Sequence, residues 1–339
     1  MKHYDVFVIG SGVGGGTVAS GLAAKGKKVG VADRSPFGGT CALRGCQPKK
    51  VLVVDTEVVR HSGKLLGKGI QDAARSSWKD LIAFKRRLTD PIPKATLEGF
   101  HKKGIDTYEA EARFTGENTL RVGDTEVSAD VVVVASGARP RPLSIPGEDL
   151  ARDSDHFLDM ETLPGKIVFI GGGYISFEFA HVAAAAGAEP TILHRSAHPL
   201  KQFDSDLVRA VIESSEADGI RVITEAPGKE IKQQIDGFQV VTPAGPVPAD
   251  LVIAAAGRIP NIDSLDLDTA GIEASNHGIH VNGFMRSPSN PRVFALGDSA
   301  AKGYPLSPVA LREAEVTIEN ILEGNTDRKS TRLNSSHYS

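Results

Sequence analysis

The 339-residue chain is poor in cysteine, with two, and has one tryptophan and three methionines. It also lacks any long apolar run: near the start, Val6–Ile9 is bounded by Asp5 and Gly10, too short for a signal core or a membrane span. No targeting segment is visible, so the cytoplasm is the expected compartment. Two cysteines do not build the disulfide framework of a secreted domain. A zinc site needs about four N or S ligands, and the cysteines have no third Cys and no His closer than His61. No metal is therefore expected. Charge of one sign is lacking too: 39 Lys and Arg against 42 Asp and Glu leave −3, which gives neither a basic field for nucleic acid nor a polybasic membrane anchor. Small molecules are the expected partners. What is present, 40% hydrophobic and 24% charged residues with 36 Gly and 19 Pro, reads as a soluble globular chain with many tight turns, long enough for two domains.

Two stretches have the layout strand, glycine turn, helix, strand. In the first, YDVFVIG leads into SGVGGGTVASGLAAKG and then KKVGVAD. Gly10, Gly12 and Gly15 stand in G-x-G-x-x-G register, for a tight turn, close approach to a pyrophosphate and helix packing, and Asp33 ends the following strand where an acid would bond a ribose hydroxyl. The alternative is a glycine turn with no ligand. In the second, residues 166–195, the turn has Gly171 and Gly173, with Ser176 in the third place. Its second strand ends in His194 and Arg195, with Lys201 close behind, so cations stand where an acid would repel a 2′-phosphate. That favours NADPH over NADH; the alternative is two solvated surface cations. His194 is expected near the adenosine end, whereas His181 and Trp78 are expected to pack. Residues 72–99 carry helical spacing at Trp78, Leu81, Ile82 and Leu88, followed by short alternating segments.

Cys41 and Cys46 lie in GGTCALRGCQPKK, residues 38–50. Residues five apart on a helix are separated by about 8 Å, beyond the ~7 Å reach of a disulfide, so a bonded pair requires a bend between them. Gly38, Gly39 and Gly45 permit one, and Pro48 suits a first helical turn near Cys46. A helix N-terminus there would favour thiolate. The alternative is a pair of buried structural cysteines.

The same stretch resembles the redox signature of the class I pyridine nucleotide-disulfide oxidoreductases, the family of glutathione reductase, dihydrolipoyl dehydrogenase, mercuric reductase and trypanothione reductase. ASGARP (135–140), GGGYISFEFA (171–180), AAGRIPN (255–261) and FALGDSA (294–300) extend the likeness. The resemblance implies an α/β chain of two Rossmann-like, three-layer ββα domains: an FAD-binding domain, residues 1–148 and 279–326, with an NAD(P)-binding domain, 149–278, inserted into it. It further implies a C-terminal α+β dimerisation domain that this sequence does not contain, and a homodimer at full length. Electrons would pass from NADPH through FAD to the Cys41/Cys46 dithiol and on to a disulfide, Cys46 being the flavin-side thiol and Cys41 the one exchanged with substrate. Tyr174 would cover the nicotinamide site, and Glu178 would pair with a lysine near the flavin, either Lys49 or Lys50. Cofactor contacts are implied for Gly39, Thr40, Ser136, Gly137, Gly257, Arg258 and Asp298, the last at the ribityl chain.

Departures from the family pattern narrow the expectation. Leu43 replaces the usual Asn between the cysteines. The two arginines that hold carboxylates in glutathione reductases correspond to Ser20 and Glu315; reading Glu315 as a buried acid facing a carboxylate argues against oxidised glutathione. Mercuric reductase would want a further cysteine pair, and dihydrolipoyl dehydrogenase an acid at His194 and Arg195. The second reading is nonetheless a dihydrolipoyl dehydrogenase using NAD, and the third a flavoprotein redox sensor or electron-transfer protein. The family's proton-donating His and Glu, in an H-P-x-x-x-x-E stretch, do not occur here, so this chain is expected to bind FAD without turning over a disulfide. DRKSTRLNSSH, residues 327–337, resembles a translated sequencing adapter. Residues 327–339 are therefore expected to be a non-native tail, with the natural protein continuing past Thr326; a polar terminus is the alternative.

Overall fold

The computed structural model describes residues 1–324, so the expected tail at 327–339 lies outside the described residues. Packing divides the chain into two units: Met1–Leu43, Asp90–Arg139 and the chain from Ile259 onward form one, and Arg44–Thr89 with Pro140–Arg258 the other. The first unit opens with β1 (Lys2–Ile9), α1 (Val13–Ala23), β2 (Val29–Ala32) and the short α2 (Gly39–Leu43). The chain then contributes α3 (Cys46–Lys64) and α4 (Trp78–Thr89) to the second unit, and returns with α5 (Ile92–Lys102), β3 (Asp106–Tyr108), β4 (Ala112–Phe114), β5 (Thr119–Val122) and β6 (Thr125–Val134). After β7 (Ala138–Pro140) the second unit continues with α6 (Ser154–Asp159), β8 (Lys166–Ile170), α7 (Tyr174–Ala185), β9 (Glu189–Leu193), α8 (Ser205–Ala217) and β10 (Arg221–Ile223). It is completed by β11 (Glu230–Gln234), β12 (Gly237–Thr242), β13 (Gly245–Ala249) and β14 (Leu251–Ala254). Beyond β15 (Arg258–Pro260), the first unit ends with β16 (Ala274–Ser275), β17 (Gly278–Ile279), β18 (Val293–Ala295) and α9 (Ser307–Glu323).

The main sheet of the first unit runs β3-β2-β1-β6-β5-β4, with β18 also on β6. β1 pairs in parallel with β2 and β6, aligning Val8 with Val31 and with Val133. β6 is ten residues long and serves two partners along one edge: antiparallel β5 near Ser128 and parallel β18 from Val132 to Val134. Strands covered on both faces read as continuous apolar runs rather than alternating ones. Accordingly Val6, Phe7, Val8, Val132, Val133 and Val134 are all buried. Full burial of each such side chain contributes roughly 1.5–3 kcal/mol.

The second unit has a parallel sheet, β10-β9-β8-β14, and a separate antiparallel sheet, β11-β12-β13. This is the α/β architecture expected, with the second parallel sheet inserted in the sequence between β6 and β18 of the first. The helical run expected over 72–99 is two helices, α4 and α5, because Pro91 takes the N-cap of α5 and cannot extend α4. Trp78 packs as expected: Nε1 donates to the Met160 carbonyl at 3.0 Å, and the ring meets Phe157 edge-on at 5.6 Å. Leu88 differs from Leu81 and Ile82, being 49% exposed. Among the described residues no helix is long and apolar enough to cross a membrane.

Candidate functional site

In the first unit the turn between β1 and α1 is built by exclusion of side chains. A Cβ on Gly10, at φ +108°, would stand 2.3 Å from the Ala135 carbonyl oxygen, and one on Gly15 would stand 2.0 Å from the oxygen of Gly10. Neither position admits alanine. Gly12 is the N-cap of α1 and has no side chain to cap it, so the first-turn N–H groups face outward at the positive end of the helix dipole. Gly39 backs directly onto Gly12: its Cβ would lie 2.3 Å from Gly12 Cα. Asp33 is held at the end of β2, where Oδ2 accepts from the Ser11 amide (2.8 Å) and hydroxyl (2.7 Å), and Oδ1 accepts from the Ser35 amide at 2.9 Å. Thr40 follows in α2, half-buried. After β6, Ser136 Oγ is buried with no hydrogen-bond partner among the described residues, while the Gly137 carbonyl accepts from the Asn261 amide at 2.9 Å. Asp298 sits in the turn Gly297–Ser299, whose first amide donates to Glu313 Oε2 at 2.7 Å.

The turn between β8 and α7 in the second unit repeats this logic. A Cβ on Gly171 would stand 2.2 Å from the Ala255 oxygen, and Gly173 is an uncapped N-cap. Ser176 fits the third place by turning inward: it is fully buried and donates to the Gly171 oxygen at 2.5 Å. His194 lies under this turn, where a Cβ on Gly172 would meet its Nδ1 at 2.6 Å. Its Nε2 is within hydrogen-bond distance of the His198 carbonyl (3.0 Å) and Ser196 Oγ (2.9 Å). Burial pushes its pKa down, and the charges of Lys201 and Arg195 act in the same direction. Arg195 and Lys201 themselves are exposed. Gly257, at φ +112°, accepts from the Arg141 amide at 2.9 Å, and Arg258 follows, half-buried.

Cys41 sits in α2 and Cys46 opens α3, so the helix is broken between them at Arg44 and Gly45. Both cysteines are half-buried. Pro48 is buried in the first turn of α3, and one turn beyond Cys46 the two candidate lysines separate. Lys49 Nζ lies 2.8 Å from Glu178 Oε2 and 5.5 Å from the centre of the Tyr174 ring, whereas Lys50 is exposed. Tyr174 and Glu178 are one turn apart on α7, and α3 packs against that helix. Among the candidates, then, it is Lys49 that meets Glu178.

Several neighbours were not visible in the sequence. Arg44, between the cysteines, has Nε 3.5 Å from Asp155 Oδ2 in α6. Burial first, and then the charge of Asp153, push the Asp155 carboxyl above its usual range, against the opposing pull of Arg44 and Arg258. Its only sequence signal is its place in a helix first turn. The expectation that Glu315 is a buried acid does not hold: its side chain is 49% exposed on α9 and pairs with Arg312 at 3.1 Å. Ser20 is not alone either, since Lys103 Nζ donates to its hydroxyl at 2.9 Å. His181 packs as expected, with Nε2 3.1 Å from Ser215 Oγ and Nδ1 3.5 Å from Asp218.

Residues 4–314 match the family model described as pyridine nucleotide-disulphide oxidoreductase. The chain belongs to that family, in its class I branch. A glutathione reductase of Burkholderia cepacia is 33% identical over 329 residues, spanning 95% of this chain and 72% of that protein. A dihydrolipoyl dehydrogenase of Staphylococcus aureus is 30% identical over 332 residues, spanning 94% and 70%. The solved structure of the HOCl-induced flavoprotein disulfide reductase RclA from Escherichia coli, as a Cu(II) complex, superposes with a TM-score of 0.88 at 25% identity, covering 98% of this chain and 74% of that one. Pyridine nucleotide-disulfide oxidoreductases are FAD-dependent, work with NADH or NADPH, act on disulfides and are usually homodimers. The residues of the first turn fit FAD. An uncapped α1 N-terminus suits its pyrophosphate, Asp33 offers a carboxylate to its ribose, and the buried Ser136 hydroxyl is short of a partner.

Proposed function

We propose that this chain is an NADPH-dependent disulfide reductase. In it, residues 1–148 and 279–326 hold FAD, residues 149–278 hold NADPH, and Cys41 and Cys46 are the redox dithiol. The observation that carries the proposal is Lys49: one turn after Cys46, it is ion-paired to Glu178 on the helix that begins at the second glycine turn. Cys46 and the second nucleotide turn are thereby tied within one packed unit. FAD, when bound, supplies the two-electron carrier between nicotinamide and dithiol.

The chain's own groups do the rest. The N-termini of α1 and α7 bind pyrophosphates through their uncapped amides, and Asp33 takes a ribose hydroxyl. Gly39, Thr40, Gly137 and Asp298 shape the FAD cradle, and Gly257 and Arg258 the nicotinamide side. Tyr174 covers the nicotinamide site, and Arg195 and Lys201 attract a 2′-phosphate. At the start of α3 the helix dipole favours the Cys46 thiolate, while Lys49 and Glu178 hold a fixed charge pair beside it in sequence. The Cys41 thiolate attacks one substrate sulfur, the substrate S–S bond breaks, and the departing thiolate takes a proton. Cys46 then attacks Cys41 Sγ, which releases the second thiolate and closes the Cys41–Cys46 disulfide. Because no H-P-x-x-x-x-E stretch occurs in these 339 residues, we propose that this chain taken alone binds FAD without turning over a disulfide. The family's usual form supports a homodimer, and the absence of a membrane-crossing helix among the described residues is consistent with the cytoplasm.

Anaerobic titration of the FAD-loaded protein tests this. Flavin plus disulfide should take up about two equivalents of NADPH, and the Cys41→Ser variant about one, each couple holding two electrons. Equal uptake by both would sink the dithiol reading. Replacing Arg195 and Lys201 together with Ala should lower the preference for NADPH over NADH about tenfold, the scale of one to two exposed charge-assisted contacts. A chain that prefers NADH from the outset would favour the dihydrolipoyl dehydrogenase reading instead.

A further inference from the structure

Arg44 stands in the break between α2 and α3, two residues before Cys46, so the two Cα atoms lie within about 7 Å. Its Nε is buried and has no hydrogen-bond partner among the described residues. What it meets instead is charge: Asp155 Oδ2 is 3.5 Å away, too far for a good N–H···O hydrogen bond. Both side chains are only 28% exposed. A guanidinium nitrogen taken out of water without a hydrogen bond stays there only when a counter-charge holds it. The carboxylate is fixed in turn, because α6 is anchored along its length. Asp153 Oδ1 accepts from the amides of Asp155 (3.1 Å) and His156 (3.0 Å). Phe157 is fully buried and stacks on Phe179 at 4.4 Å, and the buried Lys85 ammonium donates to Asp159 at 2.6 Å. Burial pushes the Asp155 carboxyl up; Arg44 is the largest charge acting against that, followed by Arg258, while Asp153 reinforces it. Arg44, Cys46, Asp153, Asp155 and Arg258 all belong to the second unit.

We propose that Arg44 and Asp155 form a charge pair that sets the thiolate balance of Cys46: the Arg44 cation stabilises the thiolate, and the Asp155 carboxylate holds that cation in place while offsetting part of its field. This rests on the reading of Cys46 as a redox thiol. Lys49, one turn along α3, is closely paired with Glu178 at 2.8 Å, and Lys50 is exposed. The looser contact of Arg44 with Asp155 leaves the guanidinium more of its charge to offer. A stabilised thiolate favours the reduced dithiol over the neutral disulfide, so the same cation raises the reduction potential of the pair. Asp155 is thus a positioning residue that acts on Cys46 through Arg44.

The test uses the full FAD-loaded chain and two readouts. In a Cys41→Ser background, the midpoint pH of the long-wavelength thiolate-to-flavin absorbance reports the Cys46 pKa. With both cysteines present, equilibration against graded ratios of reduced and oxidised dithiothreitol, then alkylation and mass measurement, reports the disulfide; two electrons and two protons pass between protein dithiol and dithiothreitol. Arg44→Met should raise the midpoint by about half to one pH unit, the scale of one partly screened charge at this range. It should also favour the disulfide about threefold to tenfold, a potential lower by about 14–30 mV. Asp155→Asn, which keeps a side-chain carbonyl for Arg44, should move both readouts the opposite way. Arg44→Lys should stay near wild type, and the double variant Arg44→Met with Asp155→Asn should lie between the singles. Shifts of one sign in both single variants, or of neither readout in either, would overturn the charge pair, since a purely structural role moves melting temperature alone. Absence of the band in Cys41→Ser would count against Cys46 as the flavin-side thiol, and the dithiothreitol equilibrium would still decide the charge pair. If wild type formed no Cys41–Cys46 disulfide at any ratio, the dithiol reading would fail first, and the charge pair with it.

Discussion

Gly39→Ala is the sharpest structural perturbation of the dithiol segment, because two separate penalties meet at one position. Gly39 has φ +75°, where an L-residue costs roughly 1–2 kcal/mol. Its Cβ would also stand 2.3 Å from Gly12 Cα and 3.1 Å from Gly12 N. Both are backbone atoms, so relief requires α2 and the turn before α1 to move apart, an overpacking cost of about 1–3 kcal/mol. The sum is about 2–5 kcal/mol. Gly26 provides the control: φ is +79° and nothing lies within 4 Å of its Cβ, so Gly26→Ala should incur only the backbone penalty. Melting of the two variants by differential scanning calorimetry should place Gly39→Ala about 3–10 °C below Gly26→Ala, and Gly39→Ala should release FAD at lower urea concentration. Equal melting temperatures with equal FAD retention would refute the close approach of the two turns.

Two further outcomes follow from the second unit. Lys49→Met should strand Glu178, whose side chain is 35% exposed, and cost about 1–2 kcal/mol after allowance for that exposure, whereas Lys50→Met should leave thermal stability and the flavin spectrum unchanged; the reverse order would move the pairing to Lys50. His181 has its pKa lowered chiefly by burial, with the Arg60 charge in the same direction and Asp218 opposing. A depressed histidine contributes stability above its ordinary value of about 6.5, and that stability is lost as pH falls. The wild-type melting temperature should therefore drop more than that of His181→Gln between pH 7 and pH 5.5, and parallel profiles would argue against a neutral buried ring.

Local rules carried much of the site. Gly10, Gly12 and Gly171 announce their turns because backbone conformation and helix starts are written in a few adjacent residues, and a bend between Cys41 and Cys46 is expected once the two are taken as a bondable pair flanked by glycines. What escaped depends on residues far apart in the chain. Lys49 and Lys50 are neighbours, and only the phase of α3 against α7 decides which of them meets Glu178. Lys103 reaches Ser20 across 83 positions, so a position that reads as neutral in sequence carries a cation in the fold. Glu315 reads as a buried acid only from its correspondence to a carboxylate-holding arginine of glutathione reductases, yet it is exposed on α9 beside Arg312. Asp155 pairs with Arg44 only because α6 brings it there.

The central claim, that Cys46 serves the flavin and Cys41 the substrate, is tested most directly by the visible spectrum of the two single variants under anaerobic conditions at neutral pH. Cys41→Ser, which keeps Cys46 at the start of α3, should show a long-wavelength absorbance tail that bleaches on acidification, and Cys46→Ser should show none. The band in Cys46→Ser and its absence in Cys41→Ser would reverse the assignment, and its absence from both would contradict the account.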